Sequence, residues 1–588
     1  MIHPLHDPGT AVAALVEAGA TRGALVGLTV HTDGTAGIAV GDVLLPVDAA
    51  DPAALVATID RELRPRWVVW SNATASALVA RDVRLTSCWD LLAAHRLLFG
   101  GWRADPARVW ARLHDLDRSR MPAMGQLDLL DGDGDGGGDA EVPVRPDGYL
   151  RPEWLTGGWA TTSTRAANWA ATAVSAARLQ QQRLGTLRER AEGDSPALGD
   201  PVATARAESA AELLCAELAA DGLPIDVAGA QALIASLVGP RPATEADAEE
   251  GRRRRDADVL AHLPPGSGID LRNPGDVKTM LRRLGIDVPD TRAWRLEAMR
   301  TVHPVVDSLL HWRKAERIAT TFGHTWLAEH VGTDGRLRGD WSGSDGAAGR
   351  MTAGAGLHNL PAELRPVVVA EPGFVFVRAD LGQIEPRVLA AVSGDPALRA
   401  ATQADDLYAP VAKRLNVERS VAKVAVLAAM YGQTSGNAGQ ALRSMELAYP
   451  VAIAYLNAAA RAGEEGRELR TYGGRLIRMG DLPDEGDHRA MAAARGRYAR
   501  NAMVQGAAAE LFKVWAVTVR ARGGDLDARI VLCLHDELLL HVPAEHADAT
   551  VQLLADCLAE AAHRWHRTSG VRFVTDTTVV HCWADAKP

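Results

Sequence analysis

With 588 residues, 47% hydrophobic and 23% charged, the sequence describes a folded protein of several domains and excludes a disordered or fibrous chain. Its formal net charge of −10 excludes a protein that coats nucleic acid through uniform basicity, although phosphate contacts are local and survive on an acidic whole. The five cysteines (Cys88, Cys215, Cys533, Cys557, Cys582) are scattered without a CxxC pair, which argues against a disulfide framework or zinc site.

The opening Met1-Ile-His-Pro lacks the charged and apolar blocks of a signal peptide, and no apolar run is long enough to span a bilayer. A cytoplasmic location away from membranes is expected. Residues 21–47 read as two or three short strands separated by Gly-rich turns, Trp67 to Trp70 as another strand, and Ala75 to Ala80 and Cys88 to Phe99 as helices. Leu127 to Gly148 breaks the pattern. Within it, Asp131 to Gly136 mimics the start of a calcium loop, but Val142 stands where the bidentate Glu should fall and Glu141 is one residue early. A Gly- and Asp-rich surface loop is the expectation. Arg178 to Asp200 reads as a helix ending in a polar linker and a domain boundary, and Ser209 to Leu223 as an amphipathic helix ending at Gly222. Glu245 to His262 alternates acids with Arg252 to Arg255, the pattern of a solvated helix. On Val306 to Phe322, which carries Trp312, Arg313, Lys314 and Arg317, phosphate contact and plain solvation both stay open.

Three later stretches carry chemistry. Phe374 to Arg387, FVFVRADLGQIEPR, reads as a buried strand delivering Asp380 to its end, with Pro386 suited to the first turn of a following helix. Ile530 to Pro543 reads as two apolar strands flanking His535-Asp536-Glu537, where a short hairpin would ordinarily turn on Gly or Asn. Two such aspartates on neighbouring strands could share a pair of divalent ions about 3.5–4 Å apart. Magnesium suits them, since it prefers oxygen ligands from one or two carboxylates plus substrate phosphates. In the third stretch, Arg419, Lys423, Leu427 and Tyr431 recur every four residues and form one helical stripe. Like charges at i,i+4 disfavour an isolated helix, and a polyanion on that face would reverse the sign. The chain holds only six lysines, so one kept here suggests a point charge on phosphate.

Together these stretches resemble the three polymerase motifs of the family A DNA polymerases, in the right order. Arg497, Asn501 and Gln505-Gly506 resemble a fourth motif, and Gly349-Arg350-Met351 with Leu357 to Pro361 a fifth; the likeness covers roughly residues 200–588. The fold implied is multidomain α/β and α+β. An RNase H-like, exonuclease-like α/β domain (1–195) would precede a right-hand polymerase domain (196–588), with thumb at about 270–345, palm at about 346–404 and 497–588, and fingers at about 405–496. The connections flanking the Arg419 helix look shorter than the family pattern, so pared-down fingers are expected.

The resemblance implies a template-directed DNA polymerase, a nucleoid-associated monomer with primer–template DNA and dNTPs as partners and a role in repair or gap filling. It implies that Asp380 and Asp536 hold two Mg²⁺ ions, for which Mn²⁺ could substitute. Glu537 would be a weaker third acid, and Lys423 would be available to protonate the leaving group. Arg419, Lys423, Leu427, Tyr431, Glu385, Gln383 and His535 would face the dNTP, with Glu385 as the gate against a 2′-hydroxyl; Gln383 and His535 would also contact the primer terminus or minor groove. Arg350, Asn359, Arg497, Asn501 and Gln505 would face DNA. Leu427 departs from the family's aromatic, which puts nucleotide affinity in question.

The N-terminal part resembles the family's proofreading domain without its carboxylates. GALVGLTVHTDG looks like that domain's second strand with no Asp-x-Glu strand before it, and Ser76, Trp169 and Ala173 stand where acids and a Tyr are expected. Only Asp90 remains. The family's 5′-nuclease domain has no counterpart here. Two other readings stay open: a weak or inactive nucleic-acid-binding homologue, and a bifunctional 3′–5′ exonuclease and polymerase.

Overall fold

In the computed structural model, residues 3–121, 141–191, 198–432, 437–480 and 487–586 are described. The calcium-loop mimic at Asp131 to Gly136 lies outside them. The chain forms two compact units, one of Met1–Asp221, Asp340–Thr352 and Gly373–Val579, the other of Gly222–Gly339, Ala353–Pro372 and Val580–Pro588. The boundary expected at 195/196 falls inside the first unit.

The first unit opens with a five-stranded sheet. Its strands are β1 (Leu25–Val30), β2 (Ala36–Val40), β3 (Val43–Val47), β4 (Arg66–Val69) and β5 (Cys88–Asp90), in the order β3-β2-β1-β4-β5. β1 pairs antiparallel with β2 and parallel with β4. The GALVGLTV segment is the central strand of the sheet, and no described strand precedes it. One expectation is corrected. Cys88 to Asp90 is a strand because it pairs parallel with β4, and only Leu91–Phe99 (α1) is helical.

Helix α2 (Ser163–Ala191) lies against this sheet. A Cβ at Gly27 would stand 2.3 Å from the Ala170 carbonyl oxygen, and one at Gly37 only 2.1 Å from the Ala167 nitrogen. The missing side chains are what let helix backbone and strand backbone touch. The Thr29 hydroxyl closes the contact by donating to the Ala166 carbonyl at 2.8 Å. Trp169 of α2 is buried and stacks on Trp70 with centroids 4.3 Å apart, and Trp154 packs beside it. Ala173 is buried in the same core.

Helix α3 (Pro201–Asp221) was expected to be amphipathic, but it is buried nearly all round, including Glu208, Glu212 and Glu217. Buried carboxylates need partners, and each has one. Glu208 meets Arg475 and Lys513 at 2.6 Å, Glu212 meets Arg96 at 3.1 Å, and Glu217 meets Arg520 at 2.6 Å. These ion pairs fasten the N-terminal sheet layer to the segments that carry the candidate site.

That site sits on a four-stranded sheet of β6 (Phe374–Leu381), β7 (Arg529–Leu534), β8 (Glu537–Pro543) and β9 (Thr575–Val580), ordered β7-β8-β6-β9. The flanking helices are α4 (Ile384–Ser393), α5 (Arg419–Tyr431), the 35-residue α6 (His488–Arg522) and α7 (Ala547–Trp565).

The second unit is a helical layer over a core that includes Val259, Met280, Leu309 and Trp312. Several of its basic residues are engaged internally. Arg253 and Arg254 pair with Glu250, Arg255 with Glu316 and Lys314 with Glu363, while Arg313 donates to the Thr291 carbonyl and Arg317 to that of Asn359.

Candidate active site

β6 runs antiparallel to β8 with Asp380 directly opposite Glu537. β7 and β8 form a hairpin whose last pair is Leu534 with Glu537, so the turn holds only His535 and Asp536, and Glu537 belongs to the strand. His535 takes φ of 46°, a left-handed conformation uncommon outside Gly and Asn. The Leu381 N–H donates to the Asp536 carbonyl at 2.9 Å, tying the end of β6 to the turn. The two aspartates therefore come to one edge of the sheet, although 156 residues separate them in the chain.

A cleft of about 360 Å³ opens there, lined among others by Arg350, Gln383, Glu385, Tyr408, Leu427, Gln505, His535 and Asp536. Glu385, in the first turn of α4, holds Arg350 at 3.2 Å and accepts from the Tyr431 hydroxyl at 3.3 Å. Burial, and then the Glu385 carboxylate, raise the Tyr431 pKa above the ordinary phenol value, so it acts as a donor. Gln383 sits just before α4 with φ of 49°, and its amide oxygen accepts from the Leu407 N–H at 3.2 Å. Partial burial and the neighbouring Arg350 lower the His535 pKa, keeping that ring neutral at pH 7.

On α5, Arg419 and Lys423 are exposed and Leu427 is half-buried. Arg419 is clasped by Asp406 through Nε–Oδ2 at 2.6 Å and Nη2–Oδ1 at 3.1 Å, and hydrogen bonding to Arg419 lowers the Asp406 pKa. Lys423 has no ion pair among the described residues. On α6, Arg497 is exposed, while the Asn501 amide oxygen is buried with no hydrogen-bond partner among the described residues. Asn359 belongs to the second unit, where its carbonyl accepts from Arg317 at 2.6 Å.

One residue escaped the sequence reading. Arg378, 1% exposed, reaches Asp380 with Nη2–Oδ2 at 2.6 Å and Glu537 with Nε–Oε2 at 2.8 Å. The signal was present: strand alternation puts residues 378 and 380 on one face, and a cation in a buried strand demands a partner. Among the described residues, no cluster of three His, Cys, Asp or Glu side chains is disposed to hold a metal ion. Asp380 and Asp536 would offer hard oxygen ligands, a chemistry that suits magnesium when substrate phosphates complete its shell.

At the N-terminal sheet, Asp90 is buried and caps α1, accepting from the Ala93 N–H at 2.9 Å. Burial, reinforced by Glu212, raises its pKa well above the carboxylate range. Ser76 is exposed on a neighbouring helix.

A sheet that presents two aspartates beside a cleft walled by helices has the palm-centred architecture of the right-hand polymerases. The chain belongs to DNA polymerase family A, whose model matches residues 276–585, just over half its length. It is 31% identical over 295 residues to DNA polymerase I of Chloroflexus aurantiacus, covering 45% of this chain and 31% of that protein. To the thermostable DNA polymerase I of Thermus thermophilus it is 28% identical over 428 residues, covering 66% of this chain and 49% of that protein. The chain therefore spans between about a third and a half of these curated relatives. It also superposes on the POL domain of Pol1 from M. smegmatis, solved in complex with a DNA primer–template and dNTP. The TM-score is 0.69 at 21% identity, with both chains fully covered. No described helix is long and apolar enough to cross a membrane.

Proposed function

We propose that the chain is a template-directed DNA polymerase that extends a primer 3′-hydroxyl with dNTPs and lacks 3′–5′ excision. The observation that carries this is the meeting of Asp380 and Asp536 at one sheet edge, beside a cleft walled by Gln383, Glu385, Leu427 and Gln505. Two Mg²⁺ ions held by these aspartates would supply charge neutralisation at the triphosphate and activation of the hydroxyl. Lys423 is the cation left to meet the incoming phosphates, and Arg419 joins it on exchanging Asp406 for a phosphate. Glu385, fixed between Arg350 and Tyr431, excludes the ribose 2′-hydroxyl, and His535 and Gln383 line the nucleotide's side of the cleft. Arg350, Arg497, Asn501 and Gln505 face the DNA, where minor-groove acceptors are nearly the same for every base pair. Asn359 is assigned separately, as a DNA contact of the second unit. A labelled primer–template given magnesium and dNTPs tests the reading: it lengthens for a polymerase, stays unchanged for an inactive homologue and shortens for a nuclease.

We assign residues 1–195 as an exonuclease-like layer without chemistry, and 196–588 as the polymerase domain. Two metal ions need a carboxylate cluster and space. β1 carries no acid, α2 lies directly on Gly27 and Gly37, and Trp169 and Ala173 fill the place with core. Mismatched primer termini should therefore persist with magnesium or manganese in the absence of dNTPs. Mononucleotide release that survives Asp380→Ala would place a nuclease site elsewhere in the chain and overturn this assignment.

Leu427 sets a further expectation. A stacked ring is worth about 1–3 kcal/mol per base, roughly 5- to 150-fold in affinity. Leu427 keeps an apolar wall but no flat face, so the KM for dNTPs should be high and Leu427→Phe should lower it. An unchanged KM in steady-state extension would mean that this part of α5 does not meet the nucleotide.

A further inference from the structure

We infer that Arg378 is a resident counter-cation of the two-aspartate site, one that makes divalent-metal binding depend on the incoming triphosphate. The inference rests on the assignment of Asp380 and Asp536 as the metal-holding acids.

Asp380 and Glu537 are directly opposite in the antiparallel pair of β6 and β8. Like charges at opposed positions repel and destabilise the sheet. Arg378, two residues before Asp380 on the same strand face, inserts one guanidinium between them, at 2.6 Å from Asp380 and 2.8 Å from Glu537. Its third neighbour, Asp576, is 3.8 Å away with a side chain 76% exposed. Burying a guanidinium is costly unless its charge is matched; its cross-strand partner on β8 is the apolar Leu539, and one pair further on the same face Phe376 lies opposite His541, so Asp380 and Glu537 are the acids of β6 and β8 on that face. The placement is therefore specific to the two acids.

The consequence is electrostatic. A guanidinium keeps its charge at any working pH, so the cluster of Asp380, Asp536, Glu537 and Arg378 carries two net negative charges where the acids alone would carry three. A divalent ion approaching Asp380 meets both a competitor for Oδ2 and a nearby positive charge. A triphosphate brings negative charge and oxygen ligands, which shifts the balance back toward the metal. Binding of the two is then coupled, and the coupling is reciprocal. Glu537, turned to Arg378, acts as a positioning residue that anchors the guanidinium.

The test is Mn²⁺ binding to the full chain without DNA, read by electron paramagnetic resonance with and without dNTP, for wild type, Arg378→Met and Arg378→Lys. The expected result is that Arg378→Met tightens Mn²⁺ binding in the absence of nucleotide by about tenfold or more. The gain in Mn²⁺ affinity on adding dNTP should shrink correspondingly, while Arg378→Lys stays near wild type. Arg378→Gln, which keeps a polar contact without the charge, gives the same readout if the methionine variant does not fold. Folded charge-neutral variants with wild-type Mn²⁺ affinity would overturn the inference while leaving the metal assignment standing. If Asp380→Asn and Asp536→Asn do not weaken Mn²⁺ binding in the presence of dNTP, the assignment itself fails and takes the inference with it.

Discussion

Asp380→Ala and Asp536→Ala should each lower primer extension by about a thousandfold or more, because on the proposed reading each removes a carboxylate that would hold metal, worth several kcal/mol in the transition state. Their effects on stability should differ. Asp536 occupies a half-buried turn position, so its loss leaves the sheet intact. Asp380 is one of two close partners of buried Arg378, so Asp380→Ala leaves that cation with Glu537 and the more distant, exposed Asp576 and should cost about 1–3 kcal/mol. Single-turnover extension and thermal melting on both variants separate the two effects. Near wild-type extension by either variant would remove the metal site from the account. Glu537→Ala should reduce activity less and stability more, since it withdraws the other anchor of Arg378.

The largest stability effect is expected away from the cleft. Glu208 is buried between Arg475 and Lys513, both at 2.6 Å and both themselves buried. Burial pushes the Glu208 pKa up, but the two cations outweigh it and hold the carboxyl below its ordinary value. Glu208→Gln leaves two buried cations without their shared counter-charge and should cost about 3–5 kcal/mol. Replacing Glu208 and Lys513 together by methionine should recover part of that loss. A change below about 1 kcal/mol in denaturant unfolding of Glu208→Gln would show that water reaches the cluster. Beside it, Glu510 accepts from Thr471 and the Gly473 N–H, and burial raises its pKa to about 7. Between about pH 4.5 and 7 the folded chain holds a proton that the unfolded chain has released, so stability falls as pH rises across that window. Glu510→Gln should flatten the slope.

The elements of the candidate site were legible because their chemistry breaks local rules. An acid ending an apolar strand, an acid in a tight turn and a basic stripe at four-residue spacing all conflict with plain structural economy, and Asp380, Asp536 and the Arg419 stripe lie on the elements expected of them, whereas Glu537, expected in the turn, belongs to β8. Pro386 falls in the first turn of α4, as its fixed φ suggests. What escaped depends on tertiary pairing. Arg378 was passed over because its burial is set by β8, and its partners are invisible in the local pattern. Cys88 to Asp90 is too short to signal a strand without β4 beside it. The acids of α3 resemble a solvated face until Arg96, Arg475, Lys513 and Arg520 arrive from elsewhere in the chain. Arg419 looked available for phosphate, and the partner it holds, Asp406, lies in a turn that periodicity does not describe.

The most direct test of the central claim is single-nucleotide incorporation on four primer–templates that differ only in the templating base. With magnesium, the complementary dNTP should be added to each primer far faster than the other three, and the corresponding ribonucleotide should be refused until Glu385 is changed to alanine. Addition that ignores the templating base, or no addition by folded protein with any of the four dNTPs, would contradict the account.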